Sequence, residues 1–194
     1  MLRKTCGLSL IELLVTMILM SLVLIGLFSI DLFSRDQVLS SDRRVKVQNE
    51  ISYAIEYMSK FVQQSVGDFN NPPIKRYPDS GPQTGFKVNV DLNNPQTPGV
   101  LSDDTWVIFY LSANTLNALQ GVTTDILSAR ISGVFDPNVM PESPDKGFYV
   151  SITDQGMAVD IGLVGRYDPT AASTPVNPQI AMKTRLVSSS ASAQ

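Results

Sequence analysis

Glu12 is the residue whose position most needs a chemical reason. It stands five residues after Gly7, and from Leu13 to Ile30 there follow eighteen residues without a charge. As a helix at ~1.5 Å per residue that run covers about 27 Å, close to the ~30 Å of a bilayer core. A carboxylate at the edge of such a segment costs up to ~2.5–3.5 kcal/mol if drawn to its centre, so an acid kept there implies a task. Ahead of it lies a short leader, Met1 to Gly7, whose only charged side chains are Arg3 and Lys4. Positive charge on this flank keeps the N-terminus cytoplasmic and sends everything beyond Ile30 outside.

Other chemistries find little support. The chain has no histidine, which removes the commonest general base and metal ligand. Its one cysteine, Cys6, lies in the leader, so no intramolecular disulfide or thiolate zinc site can form. There is no glycine-rich phosphate loop and no G-x-S-x-G, and the expectation is a protein without catalytic residues or cofactor. Carboxylates remain at Asp103, Asp104, Asp136, Glu142 and Asp145. Oxygen ligands of that kind suit calcium, but a solvated acidic loop explains them more simply, and no metal site is expected. Without Arg3 and Lys4, the 15 basic side chains fall to 13 against 18 acidic ones. That balance leaves no electrostatic footprint for nucleic acid.

Basic leader, Gly7, Glu12 and uncharged run together resemble the N-terminal signal of type IV prepilins and type II secretion pseudopilins. The resemblance implies cleavage between Gly7 and Leu8 by a prepilin peptidase, and methylation of the new Leu8 amine. It also implies that Glu12 meets the charged N-terminal amine of a neighbouring subunit during assembly. Partners would be other pilins or pseudopilins through the N-terminal helix, within the inner membrane and then in the filament. A secretory signal peptide needs a small-x-small site after its apolar region, and Asp31-Leu32-Phe33-Ser34-Arg35-Asp36 offers none. A lipoprotein signal places its cysteine after the apolar region, the reverse of Cys6. An uncleaved signal anchor of unrelated role accounts for the run and the leader, but leaves Glu12 without purpose.

Major subunits of that family carry glycine and proline where this chain has Ser21 and Ser29, and phenylalanine where it has Leu8. These departures suit a minor subunit that helps to initiate or tune a filament. The segment Gln48-Asn49-Glu50-Ile51-Ser52-Tyr53, taken with Arg166-Tyr167-Asp168-Pro169 and Asn177-Pro178-Gln179, is similar to J-type pseudopilins and W-type minor pilins. A minor subunit whose loops bind secreted substrate, a surface or DNA is the alternative within the same family.

These residues need a long helix to carry them. From Asp31 to about Val66 there is no proline or glycine. Val47, Ile51, Ala54, Ile55, Met58, Phe61 and Val62 recur at three- and four-residue spacing, a stripe that faces a core. The Pro72-Pro73 pair and its Gly/Asn neighbours stop the helix, giving about 90 Å from residue 8 to 66. Beyond it the chain reads as β: 86–90 as a short strand, 106–111 as a buried one that places Trp106 in the core, and 125–135 as strand or short helix. Residues 148–152 and 157–163 form a hairpin around Asp154-Gln155-Gly156, and 180–186 a last strand. The expected fold is α+β and pilin-like, one long helix packed on an antiparallel sheet. Its parts are a leader (1–7), a transmembrane and assembly helix (8–30), an amphipathic continuation (31–66), a β-rich external domain (67–187) and a flexible tail (188–194).

Overall fold

The structure, a computed structural model, describes residues 9–93, 102–136 and 146–189. Among the described residues there is one long helix, α1 (Leu10–Gln63), followed by nine strands. By internal contacts the chain divides into two compact units, Met1–Ser41 and Asp42–Gln194.

In the first unit every described side chain from Leu10 to Leu39 is exposed, including the whole apolar run. Polar side chains here satisfy themselves locally. The hydroxyls of Thr16, Ser21 and Ser29 donate to the carbonyls of Leu13 (2.8 Å), Ile18 (2.7 Å) and Ile25 (2.9 Å). Such back-bonds leave no hydroxyl wanting a partner in an apolar surrounding. The helix passes through both serines without a break.

In the second unit α1 buries Val47, Ile51, Ala54, Met58, Phe61 and Val62, with Ile55 partly buried against them. This is the stripe expected from the spacing. The helix stops at Gln63, within a turn of the expected end, because Ser65 leaves it to bridge Val90. Two sheets supply the rest of the core. The first has the order β1 (Ile74–Tyr77), β2 (Gly85–Val90), β3 (Thr105–Ser112), β4 (Thr115–Gln120) and β5 (Thr123–Ser128), antiparallel throughout. The second has the order β6 (Val134–Asp136), β7 (Lys146–Thr153), β8 (Ala158–Arg166) and β9 (Gln179–Val187). It is antiparallel except at β6–β7, a short parallel pair. The architecture is thus α+β and pilin-like, with the antiparallel ladder divided between two sheets.

Phe109 sits where helix and first sheet meet. It is fully buried, and its ring centroid lies 5.1 Å from Phe86, 6.1 Å from Phe61 and 6.4 Å from Tyr57. On the second sheet Gly165 fills the same role by being small: a Cβ there would stand 2.8 Å from Ile51 Cδ1 and 3.2 Å from Val47 Cγ1. A side chain there would have to push the end of Ile51 aside, so the glycine eases the close approach of the helix to β8.

Four details depart from the sequence reading. Trp106 is not in the core. Along β3 the buried positions are Val107, Phe109 and Leu111, which puts Trp106, Ile108 and Tyr110 on the outer face. There the Lys75 and Lys87 ammonium groups lie over its ring, 5.1 and 4.7 Å from the centroid. The segment 125–135 resolves into the end of β5 and the start of β6. Strand β4 escaped notice because Thr-Leu-Asn-Ala-Leu-Gln has one β-branched residue and no aromatic, so pairing with β3 rather than propensity makes it a strand. At the other end, Ser188 is buried rather than part of a tail. Its N–H donates to the Met157 carbonyl at 2.8 Å, and its hydroxyl lies 2.7 Å from that of Ser65.

Candidate functional site

The first described turn of α1 carries the candidate residue. The Ser9 carbonyl accepts from the N–H groups of Glu12 (3.0 Å) and Leu13 (3.1 Å), closing the turn in which Glu12 lies. A carboxylate in a first turn faces the positive end of the helix dipole, so the helix itself helps to hold the charge. After it, α1 offers one stretch long and apolar enough to cross a membrane, with none of its side chains buried. Gly7 and Leu8, the expected cleavage pair, lie outside the described residues. What the segment can do follows from its two features. An apolar rod buries itself in lipid or against similar helices, and a single acid at its end seeks a cation there.

Of the candidate carboxylates of the β domain, the side chains of Asp103 and Asp104 are described. Among the described residues no three His, Cys, Asp or Glu side chains are grouped to hold a metal. Glu142 and Asp145 lie outside the described residues, and of Asp136 only the backbone in β6 is described. Asp104 is part of a small polar network: its Oδ2 accepts from Asn89 Nδ2 at 2.9 Å. Burial raises its pKa above the usual carboxylate range, and the charges of Asp91 and Asp103 add to the rise against the Asn89 hydrogen bond.

The segments singled out as similar to minor subunits do come together. Glu50 on the helix holds Arg130 (Oε1 to Nε, 2.7 Å), and the Arg130 guanidinium stands 4.5 Å over the Tyr167 ring. Arg43 approaches the same ring at 4.8 Å and donates to the Val176 carbonyl at 2.6 Å. Asn177 organises the loop between them. Its Nδ2 donates to the carbonyls of Asp168 and Ala172, both at 3.0 Å, while its Oδ1 accepts from the Asp168 N–H at 2.8 Å. Sequence reading identified Glu50, Tyr167 and Asn177 as a group but passed over Arg130 and Arg43. Neither arginine belongs to a pattern that points to Tyr167, and only folding brings the two to that ring.

Compared with known proteins, residues 2–28 match the family model described as the prokaryotic N-terminal methylation motif. No curated protein and no solved structure matches the chain. The matched stretch contains the leader glycine, Glu12 and most of the apolar run, and it points to a structural subunit rather than an enzyme. The chain therefore carries a prepilin-type methylation motif on a membrane-capable helix, which supports a type IV pilin-like protein made as a pilin or pseudopilin precursor.

Proposed function

We propose that this chain is a minor pilin or pseudopilin, a structural subunit that helps to initiate or tune a type II secretion pseudopilus or type IV pilus. Residues 1–7 are its leader, 8–30 the membrane and assembly helix, 31–66 the amphipathic continuation and 67–187 the external domain. Before assembly the subunit is a single-pass protein of the inner membrane with its N-terminus in the cytoplasm. Prepilin peptidase cuts after Gly7 and methylates Leu8. The helix then packs among those of other subunits, and Glu12 takes the Leu8 amine of a neighbour as its charge partner. A minor rather than a major role is supported by Ser21 and Ser29, whose hydroxyls are tied to helix carbonyls where a glycine and a proline would loosen the rod. The Glu50–Arg130–Tyr167 interlock supports the J- or W-type reading.

The observation that carries the proposal is Glu12 itself, the one charge between the leader and Asp31. Each ion of such a pair is costly in an apolar bundle and each neutralises the other. Two measurements test this. Intact mass and N-terminal sequencing of membrane-extracted protein should find Leu8 first; an intact Met1 would defeat the reading. Glu12→Ala should leave insertion and cleavage unchanged but lower crosslinking to partner subunits, since a buried amine left unpaired costs ~3–5 kcal/mol. Glu12→Gln should behave like the alanine variant, because it keeps shape and removes charge. Unchanged crosslinking at equal membrane amounts would make Glu12 incidental.

A further inference from the structure

We propose that the cleft between β1 and the β7–β8 turn binds a short acidic peptide segment, whose carboxylate is taken by Arg76 and Lys75 and whose aliphatic side chains lie on the apolar cleft wall. The cleft has a volume of about 550 Å3 and lies wholly within the second unit. That is the size class of ligand sites. Ile74, Val150 and Ile152 give it an apolar wall, and Gln83, Ser151 and Gln155 supply polar groups around it. The turn that bounds it is held stiffly. Asp154, Gln155 and Gly156 take three successive positive φ values, 49°, 56° and 88°, and a Cβ on Gly156 would stand 2.5 Å from Pro72 Cβ. For Asp154 and Gln155 this conformation is strained, and such strain gathers at ligand clamps.

Charge complementarity selects the ligand. Residues 74–90 hold three basic side chains, Lys75, Arg76 and Lys87, against one acid, Asp79, whereas the rest of the chain has 12 basic and 17 acidic ones. Lys75 and Lys87 stand directly opposite each other across β1 and β2, which destabilises a sheet and calls for an anion. Asp79 fills that place, 2.7 Å from Lys87 Nζ. The hydrogen bond from Lys87, and with it the charges of Lys87, Lys75 and Arg76, hold its carboxyl below the usual range. Its side chain is nevertheless 72% exposed, and an exposed ion pair is worth little, so a ligand carboxylate can displace it. The other two cations rest on neutral groups: Arg76 donates to the Gly81 carbonyl, and the Lys75 ammonium lies over the Trp106 ring. The backbone of β1, an end strand of its sheet, favours a peptide among anions. The Asn89 amide donates to the Pro73 carbonyl, so by alternation Lys75 turns its amide and carbonyl to β2, and Arg76 turns its own to the open edge. An extended segment can add its backbone at such an edge and set a glutamate beside the guanidinium in a charge-assisted pair.

Titration of the full-length protein in detergent tests the site, read by calorimetry and by the emission of Trp106. That residue is the only tryptophan, and the ammonium of Lys75 would leave its ring for the ligand. The probe is the acetylated and amidated tetrapeptide Ile-Glu-Ile-Glu, with Ile-Gln-Ile-Gln and free acetate as comparisons. The glutamate peptide should bind saturably, change the Trp106 emission and exceed the glutamine peptide in affinity by about ten-fold, while acetate at the same concentration changes nothing. Arg76→Gln should lose about the same ten-fold. Asp79→Asn should bind the glutamate peptide more tightly, by up to about five-fold, because the resident carboxylate no longer competes; a carboxylate that merely stiffens its loop would give no gain. Gln155→Glu, isosteric and at an exposed position of the cleft, adds a like charge and should weaken binding, and it reads the cleft should Arg76→Gln fail to accumulate. The proposal is overturned by a glutamate peptide that does not bind saturably, by equal affinity for the glutamine peptide, by the same response to acetate, or by an Asp79→Asn variant that binds no tighter than wild type.

Discussion

Replacing Phe109 by alanine should cost the external domain more than any change on its surface. All core residues lie between Val47 and Leu186, so a fragment beginning at Ser34 keeps the whole core and leaves out the membrane run. It should be soluble and folded. Phe109 has no exposed surface and touches the rings of Phe86, Phe61 and Tyr57, the last two from the helix. Truncating a buried phenylalanine costs ~3–5 kcal/mol, from lost transfer energy and from the cavity that its neighbours fill incompletely. Each aromatic pair adds ~0.5–1.5 kcal/mol beyond its area, which places Phe109 at the upper end. Against a domain stability of ~5–15 kcal/mol that is a large share, and at ~2–4 °C per kcal/mol the melting temperature should fall by about 10–20 °C. Phe109→Leu keeps much of the volume and should cost less than half as much. Urea titration of the three fragments, followed by far-UV circular dichroism, measures both differences. Ile126→Ala, with its side chain in solvent, serves as the reference for a surface change. A Phe109→Ala loss below ~1 kcal/mol, the usual size of a single mutation effect, would mean that helix and sheet do not share one core.

Two other outcomes follow from the same geometry. The Asp104 carboxyl has a folded-state pKa raised above its unfolded value, chiefly by burial. Its contribution is present at low pH and is lost as pH rises through the folded value. Asp104→Asn, which still offers Asn89 an acceptor, should therefore melt higher than wild type at neutral pH and equally below pH ~4, near the unfolded value; an equal gain at both pH values would refute the charge argument. Ala113 in the β3–β4 turn has φ 52°, a conformation costing an L-residue about 1–2 kcal/mol, so Ala113→Gly should raise stability by about 1 kcal/mol, and a lower melting temperature would show that the turn is not strained.

Elements whose signals are local and repeated could be read directly from the order of residues. Glu12, the uncharged run and the helical stripe from Val47 to Val62 are all one-dimensional patterns, because a membrane core and a helix face each impose a fixed length or period on the chain. The alternation in β7, β8 and β9 was legible for the same reason. Tertiary structure decided what depends on partners distant in sequence. Strand β4 exists because a tight turn delivers weak strand formers to β3. Trp106 lies outside because register, not hydrophobicity, chooses which face of β3 meets the helix, and a one-residue shift exchanges the faces. Arg43 and Arg130 stand 87 positions apart in the chain and acquire a shared purpose only over the Tyr167 ring. The division of the strands into two sheets belongs to the same class. Each half can cover its own part of the α1 stripe, and Gly165 lets the helix approach the second sheet at Val47 and Ile51, a contact that no spacing within the glycine's own strand announces.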